Sequence, residues 1–177
     1  RHCRNRLEIR GRQRRNGSSS PTAGSLSARP CGETRLTQVF FYHNASDRLN
    51  AIAALISKAA QQNKAMLVYA PDPHVADAID RQLWVQQPTG FVPHVRAQSP
   101  LASETLVVIA DSLEHTPQSQ RLFNLSREIP PGFSRFDSLI EVVGQEDEDR
   151  QAGRERVKYY KDRGYAIKFI DLAEIQR

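Results

Sequence analysis

Three unbroken apolar runs do most to limit what this chain can become. Gln38 to Tyr42 (QVFFY), Ala65 to Ala70 (AMLVYA) and Thr105 to Ala110 (TLVVIA) are rich in β-branched and aromatic residues. A strand with one wet face alternates apolar with polar residues, whereas a strand covered on both faces reads as a continuous apolar run. Between the runs the spacing turns helical. Ser46 is placed to cap a helix over about 47–62, with Leu49, Ile52, Ala53, Ile56, Ala59 and Ala60 on one face. Pro73 suits a helix first turn, and Val75, Ala76, Ile79, Leu83 and Trp84 follow it at helical spacing. Strand, helix, strand, helix, strand predicts an α/β domain built on a mostly parallel central sheet flanked by helices.

The C-terminal third continues the pattern. Arg121 to Leu125 (RLFNL) reads as a strand, and residues 133–143 read equally as a short helix or a strand. Glu146 to Arg163 is a helix with acids first and bases last, matching the helix dipole, and Gly164 is its stop. Tyr165 to Ile170 (YAIKFI) alternates as a last, half-exposed strand. No apolar run approaches the roughly 20 residues of a membrane-spanning helix, so an integral helical membrane protein is not expected.

Charge divides the chain. Of 177 residues, 1–33 hold eight Arg against two Glu, a net of +6. Residues 34–177 carry 17 basic and 18 acidic residues, a net of −1. The expected domain is therefore 34–177, preceded by a basic tail rich in Arg, Ser, Gly and Pro that has too little apolar surface to fold alone. That tail reads as a disordered or non-native extension, a transit peptide or a nucleic-acid-binding arm. Both cysteines, Cys3 and Cys31, fall within it, which leaves the body without a thiolate metal site, a disulfide or a Cys nucleophile.

An α/β sheet invites a catalytic reading, but the loops do not support one. His43-Asn44-Ala45-Ser46-Asp47, Pro71-Asp72-Pro73 and Asp111-Ser112 follow the three strands without a glycine. A phosphate cradle needs glycines there so that backbone N–H groups can approach the anion. No G-x-S-x-G elbow is present. His43, His74, His94 and His115 form no H-x-x-x-H pair and read as surface or loop residues, so no metal or other cofactor is expected. Asp72 and Asp111 are the best candidates for acid–base carboxylates in an enzyme working at the sheet edge with a histidine. Capping or turn formation explains them more cheaply.

Two surfaces remain as candidate binding sites. Arg150, Arg154, Lys158 and Lys161 stand at i, i+4, i+8 and i+11 and so share one face of the last long helix. Such a row suits an acidic peptide or a terminal carboxylate, although a solvated face complementing the dipole is the simpler account. Trp84 with Phe91, Val92 and Pro93 offers aromatic anchors for a partner, with core packing of Trp84 as the simpler account.

Taken in order, several markers resemble the chi subunit family of bacterial DNA polymerase III. They are FFY at 40–42, LVYA at 67–70, A-x-x-x-D-x-x-LW at 76–84, FVPH at 91–94, EVV at 141–143 and RERVKYYKDRGY at 154–165. The resemblance runs from about Gln38 to the C-terminus and includes none of the tail. It implies a Rossmann-like fold without a nucleotide site, no intrinsic enzymatic activity and a cytoplasmic role in DNA replication. It implies binding of the acidic C-terminal tail of single-stranded DNA-binding protein and of the clamp loader's psi subunit, with DNA contacted mainly indirectly. Some members instead pair with a repair helicase on the psi surface. The family's basic cluster for the acidic tail matches Arg154, Lys158 and Lys161. An aromatic that helps line that pocket matches Val157, a departure from the pattern. The positions for psi or the helicase match Trp84 and Phe91, with Val92 and Pro93 beside them.

Overall fold

Each of the three apolar runs forms a strand in the computed structural model, which describes residues 36–85 and 92–175. In chain order the elements are β1 (Gln38–Ala45), α1 (Arg48–Gln61), β2 (Met66–Tyr69), α2 (Pro73–Val85), β3 (His94–Arg96) and β4 (Val107–Ala110). They continue with β5 (Arg121–Asn124), a 3-10 turn at Phe133–Arg135, β6 (Ser138–Gly144), α3 (Asp147–Asp162), β7 (Ile167–Asp171) and α4 (Leu172–Ile175). The seven strands form one sheet in the order β3-β4-β2-β5-β6-β1-β7. Every pairing in it is parallel. The α/β expectation is met, and the ambiguous stretch 133–143 proves to be both a helical turn and a strand.

The continuous apolar strands are explained by cover on both sides. Val68, Val107, Ile109, Phe123 and Ile140 pack against Ile52 and Ile56 of α1 and Ile79 and Leu83 of α2. Their neighbours Leu67, Val108, Leu122 and Leu139 face the other way, onto Phe133, Phe136 and Tyr160. Alternate residues of one strand thus enter two different cores. Burying a side chain of this size contributes about 1.5–3 kcal/mol.

Carboxylates set the starts of α1 and α2. Asp47, not Ser46, caps α1, its Oδ1 accepting from the Asn50 N–H at 3.0 Å. Ser46 lies one residue too early to reach that first-turn donor. Asp72 plays the same part for α2, accepting from the His74 N–H at 2.8 Å.

Two further expectations need correction. Trp84 is not core: it is 58% exposed. The buried side of α2 is Ala76, Ile79 and Leu83, and Trp84 stands a further 100° around the helix from Leu83. His94 is not a surface or loop residue but the buried first residue of β3, a strand the sequence pattern did not reveal. Val92 is buried and Pro93 exposed. Phe91 and the tail, residues 1–33, lie outside the described residues.

Candidate functional site

Helix α3 carries the basic row, and its inner face decides how that row is held. Its first turn bears Asp147, Glu148 and Asp149 and its last turn Lys161, each favoured by the dipole at that end. Gly153, Arg156 and Tyr160, at i, i+3 and i+7, are its buried residues. Gly153 permits a close approach to the sheet. A Cβ there would lie 2.9 Å from a Val143 methyl and 3.2 Å from the edge of the Phe41 ring.

Below Arg156 and Tyr160 lies a buried polar network centred on Glu141 of β6. Arg156 Nε donates to Glu141 Oε2 at 3.0 Å. The Tyr160 hydroxyl and Asn124 Nδ2 donate to Oε1 at 2.8 and 3.0 Å. Arg156 also donates to the Arg127 carbonyl at 2.8 Å. Burial, and next the Glu141 charge, push the Tyr160 phenol far above its ordinary 10.0, so it stays a donor. A second arginine, Arg48 of α1, closes the adjoining sheet edge. It donates to the Val142 and Leu125 carbonyls at 3.0 and 3.1 Å. An arginine on strand-end carbonyls stands where doubly wound sheets commonly receive a ligand.

Anchored this way, α3 turns Arg150, Arg154, Lys158 and Lys161 into one groove of about 680 Å³. The opposite wall is Phe41 of β1 and Phe169 of β7, whose rings meet edge-on with centroids 5.7 Å apart. Phe169 is 50% exposed, and Lys161 Nζ lies 5.5 Å from its ring centre. Val157, His43 and Asp162 line it too. Among the described residues none of the four bases forms an ion pair with a carboxylate. The groove therefore offers an apolar, aromatic wall facing a row of cations about 16 Å long. An extended anionic chain with an apolar end fits both walls.

The sequence assembled the four bases correctly but missed the aromatic wall. Phe41 and Phe169 were legible only as strand residues. Their alternation with Phe40 and Ile170 was the signal that they share the α3 side of the sheet. Glu141 was also missed as an anchor, since a lone acid in an apolar run carries no partner in sequence. The enzyme alternative does not gather. Asp72 is spent on its cap, and the cleft that holds Asp111 is lined by Tyr69, Leu113, Glu114 and Arg135 with no histidine. His74 is exposed, His115 lies in a loop with φ 56°, and His43 lies 3.9 Å from Asp171. Among the described residues no group of three or more His, Cys, Asp or Glu is placed to hold a metal ion.

Residues 36–168 match the model of the family described as DNA polymerase III chi subunit, HolC. The chain belongs to the DNA polymerase III chi subunit family. It is 28% identical over 146 residues to DNA polymerase III subunit chi of Pseudomonas aeruginosa, covering 79% of this chain and 100% of that one. It is 24% identical over 126 residues to the Escherichia coli subunit, covering 68% and 86%. Among solved structures, that of T4 UvsW superposes with a TM-score of 0.53 at 13% identity. That match covers 80% of this chain and 43% of the other, and it speaks for the fold alone. Among the described residues of this chi-family chain, no helix is long and apolar enough to cross a membrane.

Proposed function

We propose that this chi-family protein is a non-catalytic accessory subunit of DNA polymerase III, cytoplasmic and without a cofactor. Its α3 groove captures the acidic C-terminal tail of single-stranded DNA-binding protein. One observation carries the reading: four cations, without acidic partners among the described residues, line one groove with two aromatic rings that meet edge-on. Arg154 and Lys158 hold the tail's carboxylates, Arg150 and Lys161 extend the row, and Phe41, Phe169 and Val157 take its apolar end. The aromatic contact missing at Val157 is supplied from the sheet instead. DNA is then met through the bound protein, in keeping with a body of net charge −1.

The second half of the linkage is a surface at the far end of the sheet. Trp84 stands exposed at the end of α2, edge-on to His94 with ring centroids 5.4 Å apart, and Val85 beside it is 66% exposed. With Pro93 this surface receives the psi subunit of the clamp loader, or a repair helicase in its place; Phe91, the other candidate by resemblance, lies outside the described residues. An exposed Trp with an apolar neighbour is the residue type that anchors protein interfaces.

The test is a titration of the chain with the acidic tail peptide, wild type beside Arg154→Glu and Lys158→Glu. Wild type binds at low salt and weakens as salt rises, and each reversal weakens binding about tenfold or more. Unchanged binding by the reversals, or none by the wild type, refutes the assignment.

A further inference from the structure

Among the described residues, the face of the sheet opposite α3 is only partly covered. Seven strands at about 4.8 Å spacing make a sheet about 29 Å wide. The two helices that pack side by side on this face, α1 and α2, cover about 20 Å of it. α1 packs on β6, and the remaining width, about that of one helix, lies over β1 and β7, where the short α4 packs on β1. Here a groove of about 580 Å³ runs between α1 and the edge strand. Its floor is Tyr42, Ile140 and Ile170, α1 forms one wall through Ala51, Ala54 and Leu55, and Leu172 of α4 also lines it. All-parallel sheets bury both faces, so an open apolar strip of this width is a place for a missing layer.

The polar groups of the groove state what would fill it. Lys58 and Arg121 line it, and no Asp or Glu does. Among the described residues, neither side chain, nor the Tyr42 hydroxyl, makes a hydrogen bond or ion pair. Lys168, exposed on the same side of β7, lies with its Nζ 5.5 Å from the centre of the Phe40 ring. Burial raises the Tyr42 phenol above its ordinary value, with the Arg121 charge opposing, so it remains a donor. Three cations and a phenol around an apolar floor attract an anion. The small residues Ala51 and Ala54, followed by Lys58 and by Gln62 at the helix end, run about 16 Å along α1. They leave room for a second helix to lie close alongside.

We propose that this groove docks an amphipathic helix of a partner protein, its apolar face on Tyr42, Ile140 and Ile170 and its glutamates or aspartates on Lys58, Arg121 and Lys168. The helix completes the layer begun by α1 and α2. The site lies on the opposite side of the sheet from the α3 groove and does not depend on it.

The probe is a synthetic, fluorescein-labelled helical peptide of about four turns, with leucines on one face and glutamates on both flanks. The full chain carries Arg154→Glu and Lys158→Glu, so that acidic peptide cannot be held by α3. Saturable binding is expected, weakened about tenfold or more when lysines replace the peptide's glutamates or when Lys58→Glu and Arg121→Glu are added. Ala54→Arg, a change at an exposed helical position, fills the groove and weakens the peptide as much. Amide shifts on binding fall on α1, β1 and β7. Absence of saturable binding, equal binding of the lysine peptide, or indifference to all three substitutions overturns the proposal. So does a concentration-dependent dimer of the chain that Ala54→Arg abolishes, since the groove would then belong to a second copy.

Discussion

Glu141 illustrates how one residue can hold a surface it never reaches. It is fully buried, yet its two oxygens fix Arg156 and Tyr160 and hence the rotation of α3 about its own axis. Removing one partner of such a pair leaves the other charge buried without compensation, at a cost of about 3–5 kcal/mol. Glu141→Ala is accordingly expected to lose stability on that scale in urea unfolding, and to lose acidic-peptide affinity although no groove residue has changed. Tyr160 adds a pH signature. Its folded pKa is raised, so its contribution is fully present below the unfolded value near 10 and is lost as pH rises above it. Each such group steepens the loss by up to about 1.4 kcal/mol per pH unit. Tyr160→Phe is expected to be less stable than wild type at pH 8 but to lose less between pH 10 and 11. Parallel losses in urea midpoints would show that the phenol stays accessible to base.

At the scale of elements, what was legible depended on whether a segment answers to its own periodicity. β1, β2, β4, α1 and α2 each bury a regular apolar pattern, α3 announces itself by acids first, bases last and a glycine stop, and each of the six starts within two residues of its expected place. β3 does not: three residues, His94, Val95 and Arg96, are held by side chains of another element. Arg96 pairs with Asp77 at 2.6 Å, and His94 lies 3.4 Å from Asp80, both on α2. Pairing of that kind has no one-dimensional signal. The site divides in the same way. The four bases share a helix and could be found by spacing, whereas the aromatic wall comes from β1 and β7, adjacent in the sheet but more than a hundred residues apart in the chain. Gly153 joins the two halves. Alanine normally improves a helix over glycine by about 1 kcal/mol. At 153 its methyl would press on Val143 and Phe41, and overpacking costs about 1–3 kcal/mol. Gly153→Ala is therefore expected to lower the melting temperature and weaken acidic-peptide binding, because Phe41 belongs to the groove wall. A more stable variant with unchanged affinity would show that α3 can lift without consequence.

For the molecule as a whole, charge is informative only once it is located. The formal net of +5 describes a nucleic-acid binder, yet residues 1–33 account for +6 of it and the body is slightly acidic. Within that body the cations concentrate on two sides of the sheet, in α3 and around the groove beside α1, and both concentrations adjoin exposed aromatic or aliphatic surface. Phosphate backbones need charge spread along a track and reward little apolar contact, whereas acidic peptides with apolar residues use both. The two kinds of binding should therefore separate along the chain. Removing residues 1–33 is expected to leave the affinity for the acidic tail peptide within about twofold, since the cations proposed to hold it are Arg150, Arg154, Lys158 and Lys161 of the body. Any direct affinity for single-stranded DNA should fall with the same deletion, together with the slope of its salt dependence, because six of the positive charges depart at once. Fluorescence anisotropy with labelled peptide and labelled oligonucleotide, each across a salt series, measures both. DNA binding that survives the deletion while Lys158→Glu abolishes it would place nucleic acid in the α3 groove itself and make the body's own cations, rather than the tail's, the ones that touch DNA.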